Sequence, residues 1–369
     1  MEAVSWTVLG LESSCDDTAA AIVRLYATGK VEVLANAVQS QNAAHAPFGG
    51  VVPEIAARAH AERMDGLVAQ VMEAADLRFD ALDAIAATAG PGLIGGVMAA
   101  LMTAKGLALG TGKPLIAVNH LEGHALSARL SAPVAFPYLL LLVSGGHTQL
   151  LIVEDIGQIT RLGSTLDDAA GEAFDKTAKI MGLGFPGGPA VERLARQASA
   201  PERFTLPVML AKDKSCDFSF AGLKTAVKRA YDALENPSDA DKADLAAATQ
   251  NAIARHLAQR TARAMAIFKD RFPNLTEPLP LIVAGGVAAN SAIRTRLTDL
   301  AREEGFTLIA PPHEYCTDNA AMIALAGAER LKRGLTDPLT APARARWPLD
   351  EAAALATPKT GAGRKGPKA

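Results

Sequence analysis

The sequence predicts an α/β protein built from two halves of like design, and three observations carry that prediction. Aliphatic and β-branched segments alternate with alanine-rich stretches of helical spacing along nearly the whole chain. A strand, a small polar turn and a second strand open the chain within residues 5–25, and the same device returns within residues 138–153. Strands also run into glycine turns at Ser144-Gly145-Gly146 and at Gly285-Gly286.

The elements follow in order. Residues 5–11 are the first strand, and Glu12-Ser13-Ser14-Cys15-Asp16-Asp17-Thr18 is its polar turn into a second strand at 19–25. Ile55, Met64, Leu67, Val68 and Val71 fall at helical spacing and predict a long helix over 53–75. Residues 84–89 read as a buried strand, and the glycine turn 90–96 opens a helix running to about 109. A strand at 115–118 feeds a helix that contains His120 and His124. After a junction within 127–137 comes the apolar strand 138–143, its turn, and a strand over 147–153. Residues 281–286 form a strand with a Gly-Gly turn that opens a helix over 287–300. The expected division is a first lobe at 1–130 and a second at 131–347, with a final helix near 318–333 packing back on the first. The Gly/Pro/Lys-rich segment 357–369 is expected to be a disordered basic tail.

Composition narrows the function. The 369 residues suit about two domains. With 49% hydrophobic and 21% charged residues the chain is globular. A net charge of −2 excludes a general polycation, so nucleic-acid binding must come from a local patch or a partner. Cys15, Cys216 and Cys316 suit neither a disulfide framework nor a thiolate metal cage, which points to a reducing compartment. The first residues lack a basic signal-peptide start, and the uncharged run 84–104 is broken by Gly90, Pro91, Gly92, Gly95 and Gly96. The expectation is a cytoplasmic protein with no membrane span, the uncharged run being buried core.

Asn119-His120-Leu121-Glu122-Gly123-His124 places two imidazoles one helical turn apart, on one face, where they can share a metal or pack as a simple pair. Zincin peptidases place a glutamate directly after the first histidine; here Glu122 sits one position later and lies on another side of the helix. The two glycine turns, in matching strand–turn positions, let backbone amides approach an anion and point to a nucleotide cleft between lobes; a lone Gly-Gly turn is more often just a turn. The run from Asp167 to Lys176 reads as a solvated helix face or as a wall that binds hydroxyls or amines. Thr317 or Asp318 reads as the N-cap of the helix that follows.

Together, NHLEGH, LLVSGGHTQL, DDAAGEAFDKTAKIMGLGFPGGP, FSFAGLKT, AGGVAAN and CTDNAAMIA resemble the tRNA N6-adenosine threonylcarbamoyltransferase family, in unbroken order from about Val8 to Trp347. The resemblance implies the duplicated actin-like, sugar-kinase-like ATPase fold of two lobes. It implies that His120, His124 and Asp318 hold one divalent metal ion per subunit, Fe2+ in preference to Zn2+. It makes Leu142, Val143, Ser144, Gly145, Gly146, Asp175, Gly188, Glu192 and Asn290 contacts to the nucleotide or substrate. Glu192 stands where the family pattern is closer to Asp. Asp16 matches an acid of the family's opening motif and is the candidate catalytic side chain.

The reaction so implied moves a threonylcarbamoyl group from threonylcarbamoyl-AMP to N6 of adenosine 37, just 3′ of the anticodon, in tRNAs reading codons that begin with A. The donor is already an activated mixed anhydride, so the transfer needs no ATP, although ATP or ADP can occupy a nucleotide site. The adenine amine is a poor nucleophile, so catalysis rests on positioning, carbonyl polarisation and proton removal. The resemblance implies tRNA, an inactive TsaB-type paralogue and a small TsaE-type ATPase as partners, with a TsaC-type synthase supplying the donor. Lys224, Lys228 and Arg229 on one predicted helix, and Arg255, Arg260 and Arg263 on another, are candidate phosphate contacts or plain solvated faces. A sugar-kinase-like ATPase would explain the loops but not the histidines. A metallo-endopeptidase would explain only the histidines, and a non-catalytic scaffold would need neither.

Overall fold

A computed structural model describes residues 4–48 and 50–356; the tail expected at 357–369 lies outside the described residues. The first elements are β1 (Ser5–Glu12), β2 (Asp17–Tyr26), β3 (Val31–Ser40), α1 (Asn42–His45), α2 (Pro53–Ala74), β4 (Ala84–Gly90), α3 (Ile94–Thr111), β5 (Leu115–Asn119) and α4 (His120–Leu126). Then follow β6 (Tyr138–Val143), β7 (Thr148–Asp155), β8 (Gln158–Ser164), α5 (Ala170–Met181), α6 (Gly187–Ala195), α7 (Ala221–Asp232) and α8 (Asp239–Arg271). The last are β9 (Leu279–Ala284), α9 (Ser291–Glu303), β10 (Phe306–Ile309), α10 (His313–Cys316), α11 (Ala320–Lys332) and α12 (Glu351–Ala356).

The chain divides into two compact units. The first runs to Ala135 and includes Ile156–Gln158 and Pro311–Glu351; the second holds Phe136–Asp155 and Ile159–Ala310 and resumes at Ala352. Each has one five-stranded sheet, ordered β3-β2-β1-β4-β5 and β8-β7-β6-β9-β10. In both, the central strand pairs antiparallel with the strand after it and parallel with the fourth strand of its half, which pairs parallel with the fifth. The duplication is therefore one of topology. β3, β8 and β10 are additions to the sequence reading; β3 and β8 are mostly half-buried, and mixed side chains hide their period.

In the first unit, alternation along β1 sends side chains to two covered faces. Leu9 and Leu11 pack with Met64, Leu67, Val71 and Ala100 from α2 and α3. Gly10 and Val8 face α11, whose Gly327 comes close to Val8 and Ala86. Residues 311–351 therefore group with the first unit and not with the residues before them in sequence, because α11 buries nearly every side chain against that sheet. Helix α3 is, among the described residues, the one helix long and apolar enough to cross a membrane. Its Val97, Ala100, Leu101 and Ala104 are buried in the unit. The sequence reads it as core throughout; in fact Ile94, Met98, Met102 and Leu109 lie exposed on its other face.

In the second unit, Leu139, Leu141 and Val143 of β6 pack with Phe174 of α5 and Ile253, Leu257 and Phe268 of α8. Helix α8 opens on a capping box between Ser238 and Asp241. Its Arg260 is 1% exposed. The guanidinium donates to the carbonyls of Leu210, Asp213 and Ser215 at 2.6–2.9 Å, and Arg263 reaches Ser215 as well. Arg260 and Arg263 therefore stitch a loop to α8, and for the buried Arg260 this overturns both readings, phosphate contact and solvated face alike.

His256, one turn before Arg260, is wedged edge-on against Phe218 and Phe220. Burial, reinforced by the Arg260 charge, lowers its pKa to about 4. The folded unit refuses a proton that the unfolded chain takes up near pH 6.5. Stability is then constant above about pH 6.5 and falls as the pH drops towards 4, by about 2 kcal/mol at pH 5. Chemical denaturation of the native protein and His256→Gln at pH 7.5 and pH 5 should show this acid loss shrinking in the variant.

Candidate active site

The histidine pair owes its placement to two helix starts. β5 ends at Asn119, whose side chain accepts the Leu121 amide and caps α4, so His120 and His124 follow on the first turns. Both are buried, with ring centroids 4.7 Å apart and edge-to-face. Gly123 lets α4 approach α11: a Cβ there would lie 2.8 Å from Ile323. On that side, Asn319 caps α11 by accepting the Met322 amide at 3.0 Å. The cap is thus Asn319, not Thr317 or Asp318, and the Asp318 carboxylate is left to face the histidines. Its Oδ1 lies 3.0 Å from Nε2 of His124 and 3.5 Å from Nε2 of His120.

Those spacings suit one ion. Ligand atoms about 2.1 Å from a tetrahedral metal are ~3.4 Å apart, and one donor atom from each of the three side chains falls within 4.8 Å of the others. Two imidazoles and a carboxylate fit Fe2+ or Zn2+ alike. A fourth group, missed by sequence reading, backs the cluster. Glu12, fully buried at the end of β1, accepts from His120 Nδ1 at 2.9 Å. Burial opposes a charge on His120, but Glu12 and Asp318 outweigh it and raise the imidazole to about 9.

The turn after β1 belongs to the same unit. Asp16 is half-buried, and its carbonyl accepts the Gln41 amide. Asp17 beside it is raised to about 7, by burial and then by the charges of Asp318 and Asp16; among the described residues its buried Oδ1 has no hydrogen-bond partner. The adjacent acids Asp16-Asp17 were the only signal for Asp17 in the sequence. Glu122 is no general base: buried, it accepts from the Gly157 amide at 3.1 Å and from Arg330 at 3.2 Å.

The second unit gathers the other candidates around glycines. Leu142 and Val143 are buried β6 residues, so they can offer only backbone. Ser144 closes the turn by donating its amide to the His147 carbonyl, leaving Gly145 and Gly146 exposed. Gly171 at the start of α5 and Gly285 (φ +97°) pack against this turn; a Cβ would lie 2.6 Å from Gly145 Cα and 2.5 Å from the Val143 carbonyl, respectively. Asp175 accepts the Gly187 amide at 2.8 Å, which fixes Gly188 in the first turn of α6. Asn290 caps α9 and donates to Gln250. Glu192 accepts from both the amide and the hydroxyl of Ser291; burial would raise its pKa, but these bonds and Arg196 hold it below the usual range. Within the acidic run, Asp167 caps the start of α7, and Asp168 and Glu172 hold Lys176, so these three are tied down and do not form a plain solvated face.

Two sheets of the same strand order, with a buried His-His-Asp cluster in one unit and glycine turns in the other, make a duplicated α/β protein of the actin-like fold class. Solved structures agree on the fold: full-length HypF in its phosphate- and nucleotide-bound form has a TM-score of 0.55 at 12% identity, covering 91% of this chain and 47% of that one. HypF from T. kodakarensis has 0.57 at 16%, covering 90% and 48%. A family model described as TsaD, tRNA N6-adenosine threonylcarbamoyltransferase, matches residues 32–325. Proteins of that name from Maricaulis maris (strain MCS10) and Caulobacter vibrioides (strain ATCC 19089 / CIP 103742 / CB 15) are 69% and 58% identical, over 100% and 98% of this chain and 97% of each relative. The chain belongs to the tRNA N6-adenosine threonylcarbamoyltransferase family. It is a transferase that forms threonylcarbamoyladenosine in tRNA, and its family implies a metal ion and a nucleotide-related substrate.

Proposed function

We propose that His120, His124 and Asp318 hold the ion, Fe2+ before Zn2+, and that Ser144–Gly146, Asp175, Gly188, Glu192 and Asn290, with the backbone of Leu142 and Val143, take the adenylate of threonylcarbamoyl-AMP. The convergence of two buried Nε2 atoms on one carboxylate oxygen carries this reading. When bound, the ion supplies Lewis acidity and a template for the donor's oxygens. The chain's own groups do the rest. Exposed amides at Gly145 and Gly146 can receive the phosphate that departs as AMP. A carboxylate at Asp16 takes the proton from N6 as the amine attacks; Asp17 is the second candidate, favoured by a pKa near neutrality.

The proposal extends to partners: a TsaB-type paralogue, a TsaE-type ATPase and donor from a TsaC-type synthase, in the cytoplasm. The experiment combines these proteins with threonylcarbamoyl-AMP and unmodified tRNA, then measures threonylcarbamoyladenosine by mass spectrometry of the digested tRNA. Asp16→Asn should lower kcat by about 100-fold or more if Asp16 is the base. A loss confined to Asp17→Asn would move the role one residue along, and full activity in both variants would remove the carboxylates from proton transfer.

A further inference from the structure

Glu12 is a carboxylate with no exposed surface, placed at the end of a hydrophobic strand. A buried charge there costs several kcal/mol unless neighbours compensate it. The Ser14 amide donates to Oε1, and the Thr88 hydroxyl donates to Oε2. The third partner is His120 Nδ1, 2.9 Å from Oε2. His124 differs: among the described residues its Nδ1 has no hydrogen-bond partner. One histidine of the pair is thus locked from behind and the other is not.

We infer that Glu12 is a positioning residue that acts through His120. By accepting from Nδ1 it keeps that nitrogen's proton in place, so the proton an incoming ion displaces is the one on Nε2, on the side of Asp318 and His124, and it prevents the ring from flipping. It also adds charge. Two neutral imidazoles and one carboxylate leave a divalent ion with a net positive charge, and the fully buried Glu12 cancels that from behind His120. Ser14 and Thr88 hold the carboxylate in turn, so the lock extends from β1 through β4 to the first turn of α4.

This inference rests on the reading of His120, His124 and Asp318 as metal ligands, and the test separates the two. Full-length protein stripped by chelator is titrated with Co2+ against a chromophoric competitor, and the visible spectrum of the bound Co2+ is recorded. Glu12→Gln keeps the shape, removes the charge and should weaken Co2+ binding roughly 10- to 100-fold with an altered spectrum. Glu12→Asp keeps the charge and should recover part of the affinity. A folded Glu12→Gln protein with native affinity and spectrum overturns the role of Glu12. If Glu12→Gln does not fold, Thr88→Val decides: a several-fold weaker affinity supports the lock, and native affinity overturns it. Native protein that binds no Co2+, or a His120→Ala/His124→Ala variant that binds it as well, instead overturns the metal reading.

Discussion

Asp318→Ala should abolish bound metal and cut threonylcarbamoyladenosine formation by about 100-fold or more, while leaving helix α11 in place. The asymmetry follows from the division of labour at the α11 start. Asp318 supplies the oxygen on which both Nε2 atoms converge, and Asn319 supplies the cap. The Asn319 cap survives the loss of the carboxylate, so α11 should keep its start. Asn319→Ala should do the converse, costing about 1 kcal/mol through the lost cap with the ligand oxygen retained. Metal analysis, thermal melts and nucleoside mass spectrometry on the two variants make the comparison. An Asp318→Ala protein that keeps both metal and product would show that the three side chains do not form the metal site.

These neighbours also mark where sequence reading stops. The histidine pair is legible because its four-residue spacing is a property of one helix. Asp318 lies 194 residues beyond His124, and local grammar offers it only as a cap. Choosing between Thr317, Asp318 and Asn319 needs the backbone direction at the helix start, which spacing does not encode; only the resemblance to a family offered Asp318 as a ligand. Glu12 was hidden for a different reason. It ends an apolar strand and reads as the first residue of a polar turn, and its importance comes from a partner on another strand–helix unit. Arg260 shows the opposite error: a basic residue on a long helix looks like surface until its three carbonyl partners bury it. The strand–turn–strand device was visible in both halves because β1 and β6 are buried apolar runs. The outer strands β3 and β8 escaped because half-burial leaves no clean alternation.

Gly10→Ala should be among the most damaging single-methyl changes in the first unit, and its effect should reach the metal. A Cβ at Gly10 would lie 2.5 Å from both the Ala320 carbonyl and the Ala324 amide, and 2.8 Å from the Ala324 Cβ. Two of these three obstacles are backbone, so no rotamer change relieves them, and α11 must move off β1. Overpacking of this kind costs about 3 kcal/mol, the upper part of the usual range. Because Asp318 stands just before the Asn319 cap of α11, the same displacement carries its Oδ1 away from His120 and His124. Stability and metal affinity should therefore fall together, unlike in Asp318→Ala, where they separate. Adding Ala324→Gly removes the side-chain obstacle alone and should restore part of both quantities. Denaturant melts and Co2+ titrations of the single and double variants test this; a Gly10→Ala protein with native stability would mean that β1 and α11 are not in the close contact that places Asp318.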